Sequence, residues 1–482
     1  MAHHQDRDHP HPNPLPSRER EEVGPTLIGL LLCVVLVPLI RATAFCSVDL
    51  VDLFQPADVT DVVSAGLVLP SRYAMAPEAA RPLSLLCSPS SLTVTAGDTH
   101  GWRETGDDPR RMSVGSVGTT LSLRGDTMPN IVAAGISLWQ PTVSFHEDGS
   151  EWSRASISAR YKDYGAAIGR GAVRVGLALS DGEQNGRADS TRFRGIEPAE
   201  GVGKGFIAWD EEHSGFTAEA AKTCGRAEFG VLYSKGDGTL NARTIADGQG
   251  YFGDQSFKSE RWSPYITWTR GATTDIALFG SARSRSSGPL RVGNLVVGRP
   301  KGDSSACSAA WARRREYADA TRMLSLEFAS ATANFAGHTS AVFFPGLFTY
   351  AYKTDDHFHL DKLTARYGVE RRRGSTALRW SVMLGYGSLD ARLFASQAKP
   401  FGKRRVLIDE DWSGSSVWAL SPAVGVGYRK SDWAMDAGLA LFGGLLDLND
   451  KRAGVVEPEP GKKRHSRWQP GYRCGITIRR AF

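Results

Sequence analysis

No stretch of this chain is long and apolar enough to cross a membrane as a helix. The longest apolar run, residues 27–40, has 14 residues, against the roughly 20 that a spanning helix needs. Six cysteines, at 33, 46, 87, 224, 307 and 474, fall in no CxxC spacing, which excludes a zinc ribbon or a thioredoxin-like motif. GxSxG, HExxH, Walker A and a GxGxxG between strand and helix are all missing, so no motif announces an enzyme, a cofactor or a metal centre. The formal charge of +6 is diffuse. With no helix-turn-helix pattern and no basic stretch interleaved with aromatics, no nucleic-acid partner is expected. Helical periodicity is also scarce; only Ala309 to Met323 predicts a short amphipathic helix.

Glycine and alternation are what the sequence has. There are 52 glycines in 482 residues, roughly 11% against a usual ~7%. From about Met112 the chain becomes a series of segments with a side-chain period of two, the signature of strands. Leu378, Trp380, Val382, Leu384 and Tyr386 alternate with Arg379, Ser381, Met383 and Gly385. A break at Ser431-Asp432 leads to Trp433, Met435, Ala437, Leu439 and Leu441, set against Ala434, Asp436, Gly438 and Ala440. These segments run for about 9–15 residues, longer than the ~5–6 of soluble sheets and suited to the ~9–11 that cross a bilayer at a tilt. Several tryptophans (Trp262, Trp268, Trp380, Trp433 among them) stand at segment ends, as an aromatic girdle requires. Long strands with one apolar face would leave a soluble protein with sticky edges and faces, whereas a closed barrel in lipid pairs every backbone group. The expected fold is all-β: a transmembrane antiparallel barrel of about 14–16 strands behind a short irregular N-terminal segment.

The last twelve residues sharpen this. Tyr472, Cys474, Ile476, Ile478 and Phe482 share one parity, while Arg473, Gly475, Thr477, Arg479 and Ala481 share the other. The segment resembles the closing strand of bacterial outer-membrane β-barrel proteins, which ends in a lipid-facing Phe. The resemblance implies that Tyr472, Ile476, Ile478 and Phe482 form the assembly signal read by the barrel-assembly machinery. It also implies outer-membrane lipid as a partner. Arg480 departs from the pattern by standing on the apolar face, where an interfacial Arg costs only about 0–1 kcal/mol.

Ahead of the barrel, residues 1–44 read as a disordered start followed by a secretory signal peptide cut after Ala44: Arg18 and Arg20, the apolar run, then Ala42-Thr43-Ala44. Residues 45–110, rich in proline and with Asp49, Asp52, Asp58 and Asp61 at their start, suit a lumen plug, a periplasmic extension or a small domain. Residues 111–482 are assigned to the barrel. A stretch of this length before a barrel is similar to long-chain fatty-acid-type outer-membrane transporters, whose N-terminus plugs the lumen. Their hatch motif has no counterpart here.

With the large apolar residues facing lipid, parity turns Arg154, Arg160, Lys162, Arg174, Arg366, Arg379, Arg473 and Arg479 inward, with Glu228, Glu370 and Asp436 as the main inward acids. Such a wall favours anions, unless the arginines are neutralised by acids in the lumen. Three clusters carry less. Asp181-Gly-Glu-Gln-Asn-Gly186 has calcium-loop spacing but Arg192 at the twelfth position, and reads as a loop turn. Asp355 to Asp361, with His357 and His359, reads as a solvated loop more readily than as a metal site. Asp210-Glu-Glu-His213 has no partner spacing for catalysis. The expected function is an outer-membrane channel or transporter for small solutes, anion-biased or for hydrophobic substrates. The alternatives are an adhesin or structural barrel binding through loops 181–203, 236–257 and 390–412, and an outer-membrane enzyme acting on lipid.

Overall fold

In the computed structural model, the residues described are 79–103, 110–127, 129–147, 152–190, 205–246, 249–292, 295–299, 301–343, 348–398, 404–452 and 464–482. The leader expected over residues 1–44 lies outside them. The first element is a single helical turn, α1 (Pro82–Leu85). Strands follow in order: β1 (Ser91–Arg103), β2 (Arg110–Thr127), β3 (Asn130–Glu147), β4 (Trp152–Arg170), β5 (Val173–Ser190) and β6 (Gly205–Cys224). Next come β7 (Ala227–Ala246), β8 (Gln249–Arg270), β9 (Thr273–Ser287), the short pair β10 (Leu290–Val292) and β11 (Leu295–Gly298), and β12 (Lys301–Glu316). The chain ends with β13 (Ala320–Phe343), β14 (Phe348–Arg373), β15 (Thr376–Ala398), β16 (Arg404–Lys430), β17 (Trp433–Arg452) and β18 (Arg464–Ala481).

Sixteen of these strands close an antiparallel barrel, and β10–β11 is a small hairpin resting on β8 and β13. Closure is made by β18, which pairs with β17 on one side and with β1 on the other, from Ser91↔Ala481 to Gly101↔Gly471. The barrel wall therefore begins at Ser91, inside the segment expected to precede it. Strand β1 was obscured because its alternation, Leu92 and Val94 against Thr93 and Thr95, is short and follows Pro89.

At one end neighbouring strands are joined by turns of two or three residues. Gly171, Gly225, Gly271 and Gly374 take φ of 57–61° there, a left-handed backbone that glycine enters without a Cβ penalty. Ser431 adopts φ 50° at the matching place without that freedom. Both the start of β1 and the end of β18 lie at this end, and the longer connections lie at the other. Short turns mark the periplasmic side of such barrels.

The expected helix over Ala309–Met323 is instead the end of β12, a turn, and the start of β13. Its alanines have high helix propensity, but sixteen cross-strand pairs, Lys301↔Ala336 to Glu316↔Thr321, override a local preference. Most wall strands are also longer than the expected 9–15 residues, up to 27 in β16, while β1 has 13 and β9 has 15. Asp181–Gly186 and the Asp355–Asp361 stretch are strand, within β5 and β14, where loops were expected. Most of the described parts of the three proposed binding loops are strand as well.

Candidate functional site

The outer face explains both the strand length and the membrane assignment. On β5 the outward side chains run Val173, Val175, Leu177, Leu179, and then change to Asp181 and Glu183. Neighbouring strands change at a matching height. Tyr164 is followed by Lys162 and Arg160, Phe216 by Ser214 and Glu212, Tyr233 by Lys235 and Asp237, and Trp262 by Glu260 and Lys258. At about 3.3 Å per residue and a tilt of 35–45°, four outward apolar positions make a band roughly 20 Å tall, close to the ~25 Å of outer-membrane barrels. Leu177, Leu179, Leu378 and Leu384 are each about 60% exposed, which water would penalise and acyl chains do not. Trp268 and Trp433 stand at the turn end of the band, with Trp262 and Tyr386 at its upper edge. The chain is a transmembrane β-barrel of the bacterial outer membrane.

No protein-family model matches the sequence, and no match is found among curated proteins. Among solved structures, the chain is similar to the Ralstonia pickettii toluene transporter TbuX, with 9% identity, 89% of this chain and 99% of that chain covered, and a TM-score of 0.41. It is also similar to the monoaromatic hydrocarbon channel CymD, with 10% identity, coverage of 87% and 96%, and a TM-score of 0.41. CdiB from Acinetobacter baumannii matches at 10% identity and a TM-score of 0.34; 80% of this chain is covered, and it spans only 60% of CdiB. The membrane assignment rests on the barrel's own geometry.

Inside the barrel, residues 79–88 lie against the inner wall of β3–β6. The fit depends on glycines whose missing side chains leave room. A Cβ at Gly165 would stand 2.3 Å from the Ala79 carbonyl oxygen, one at Gly176 would stand 2.7 Å from Pro82, and one at Gly135 would stand 2.7 Å from a Leu85 methyl. Leu83, Leu85 and Leu86 are buried with Ala133, Ala167, Ala221 and Tyr265 in the largest apolar cluster of the described residues. Two backbone amides of the segment find side-chain acceptors on the wall. Ala79 N–H donates to Ser137 Oγ at 3.0 Å, and Leu83 N–H to Glu219 Oε2 at 3.2 Å. Beside Glu219, Arg174 of β5 pairs with Glu228 of β7.

The opposite wall carries a second charged cluster. Arg379, 1% exposed, donates from Nε to Glu370 Oε2 at 2.7 Å and from Nη1 to Asp436 Oδ1 at 2.8 Å. Arg372 donates to the other oxygen of Glu370 at 2.5 Å. Gly427 opens the space for this fork, since a Cβ there would lie 2.4 Å from Asp436 Oδ1.

The structure thus places Arg174, Arg366, Arg379, Arg473 and Arg479 on the inward face. It brings Arg174 and Arg379 together with the inward acids Glu228, Glu370 and Asp436. Arg366 reaches the Met383 sulfur at 3.5 Å. Arg160, expected in the lumen, shares parity with Tyr164 and Ile168 and points outward above the apolar band, 3.3 Å from Glu183. Lys162 is on the same face. Alanines occupy both faces of this strand, so its parity had little contrast to read. Arg154 is near the upper end of β4, and its side chain lies outside the described residues.

On β18, Ile476, Ile478 and Phe482 face outward, with Phe482 66% exposed. Tyr472 shares that face and lies 5.0 Å from the His100 ring of β1. The two histidines of β14 are each held by a carboxylate of their own strand: His357 lies 3.2 Å from Asp355, and His359 lies 3.2 Å from Asp361. On β6, alternation separates Glu212 from His213, which turns inward against Tyr161. Sequence reasoning missed Ser137, Glu219 and the glycine seat. Pro82 followed by an apolar Leu-Ser-Leu-Leu, beside glycines on inward parity, is the signal that could have found them.

Proposed function

We propose that the protein is an outer-membrane channel for small solutes whose lumen is closed by residues 79–88. The observation that carries this reading is the seating of that segment on three inner-wall glycines, where Ala79 N–H and Leu83 N–H also donate to wall side chains. A wall that merely supported the membrane would gain nothing from a glycine-lined seat, because glycine weakens a strand. The charge pattern argues against a strong anion bias at this level. Arg174 and Arg379 are matched by buried carboxylates, and a matched pair presents little net field to a passing solute.

Solute uptake by liposomes tests the reading. Vesicles holding the full chain should swell slowly in small sugars, and Gly165→Val, which collides with the Ala79 carbonyl, should speed swelling severalfold while heat-modifiable migration is retained. Equal swelling with and without the substitution would remove the gating role of the segment.

One observation favours a second reading as a surface-binding barrel. Strand β14 has 26 residues, roughly 65 Å of wall at the usual rise and tilt, far beyond a ~25 Å band. Binding to cells or envelope components that is lost on trimming the upper halves of β13–β16, with conduction unchanged, would favour it.

A further inference from the structure

We propose that the outer face of β3–β6 binds one anionic glycerophospholipid of the periplasmic leaflet. Its acyl chain lies in an alanine-floored groove, and its phosphate lies between Arg170 and Lys222. A groove of about 900 Å³ occupies this face. Its floor is Ala134, Ala166, Ala218 and Ala220, and Ile168 and Leu177 rise beside it. The row Ala134↔Ala166↔Leu177↔Ala218 crosses four strands with a single large side chain. The corresponding stretch on the far wall, Trp380↔Val424↔Leu439, is large throughout. Small side chains on a lipid-facing wall leave a furrow that only an apolar chain fills without a void.

Depth and charge select the occupant. Ala134 and Ala220 each stand four residues from the turn end of their strands, about 10 Å along the membrane normal. That is within the ~15 Å of one leaflet's hydrocarbon. Directly below the groove, Arg170 and Lys222 are exposed and on outward parity. Val173 pairs with both, so the two cations are two strand spacings apart, about 10 Å. Two long side chains span that distance around one phosphate. Along this rim the outward positions Asn130, Arg170, Val173, Lys222 and Phe229 include no carboxylate.

Several other cations of the turn end are engaged. Arg313 is 2.8 Å from Asp275, Arg315 and Arg322 lie over the Tyr317 ring, and Arg480 lies over Trp433. On the rim below the groove, an apolar furrow and a pair of outward cations with no carboxylate beside them coincide.

Native mass spectrometry of the delipidated, refolded full chain tests this, using phosphatidylglycerol and phosphatidylcholine with the same acyl chains. The wild type should retain one phosphatidylglycerol in preference to phosphatidylcholine by roughly ten- to thirtyfold, the scale set by two interfacial cations. R170Q/K222Q should bring the two lipids level without loss of heat-modifiable migration. A166F/A218F, which fills the groove, should remove the single-lipid adduct for both. Equal retention of the two lipids by the wild type, or a preference that survives R170Q/K222Q, would overturn the proposal. So would a wild-type dimer that A166F/A218F splits while leaving lipid retention intact, since the groove would then hold a second copy of the chain.

Discussion

Arg379 shows what a single side chain contributes to this wall. It is buried and bridges two carboxylates on different strands, Glu370 of β14 and Asp436 of β17. Removing one partner of a buried ion cluster leaves uncompensated charge and costs about 3–5 kcal/mol. Arg379→Gln is therefore expected to lower the unfolding free energy in micelles by about that amount, as read from urea titration. Replacing the trio together (R379M/E370Q/D436N) should recover most of the loss, because the buried arginine and both its carboxylate partners are neutralised at once. Parity made this site half legible: the three residues could be placed on one inward face from sequence alone. Which acid meets which arginine depends on register across four strands, and a period of two carries no register. Arg160 was misread for a related reason, because the alanines on both faces of β4 hide which face is apolar.

At the scale of elements, the lower halves of the strands were legible and the upper halves were not. Leu378–Tyr386 and Trp433–Leu441 show their alternation because one face meets lipid. Above the band both faces meet water, so Asp181–Gly186 and Asp355–Asp361 are dominated by charged and polar residues and look like loops while pairing as strand. The turns follow local rules more closely. Four of them place glycine in a left-handed conformation, and Ser431 holds φ 50° in its place. A non-glycine residue in that region costs about 1–2 kcal/mol, so Ser431→Gly should raise the unfolding free energy by roughly 1 kcal/mol. The closing strand has its own test. Phe482 faces outward, and its N–H donates to the Ser90 carbonyl at 3.0 Å. Deleting it is expected to reduce outer-membrane levels of the protein while leaving synthesis unchanged; unchanged levels would separate β18 from assembly.

For the whole molecule, the outer face divides at one height between lipid and water, and the inner face divides between charged clusters and an apolar seat. The first division is tested by depth. An arginine at the middle of an outer-membrane band costs about 2–4 kcal/mol. Leu177→Arg should therefore destabilise the barrel in lipid vesicles by that amount, whereas Asp181→Arg, four residues higher, should change it by less than about 1 kcal/mol. The inner division was missed in the sequence, where Pro82 with Leu-Ser-Leu-Leu is a faint signal until the barrel places Gly135, Gly165 and Gly176 around it. The claim that this segment closes the conduit is tested most directly by single-channel conductance in a planar bilayer, comparing the full chain with the same chain lacking residues 79–88. Brief or no openings in the full chain and steady openings in the deletion are the expected result. A correctly folded deletion that conducts no more than the full chain would contradict the account.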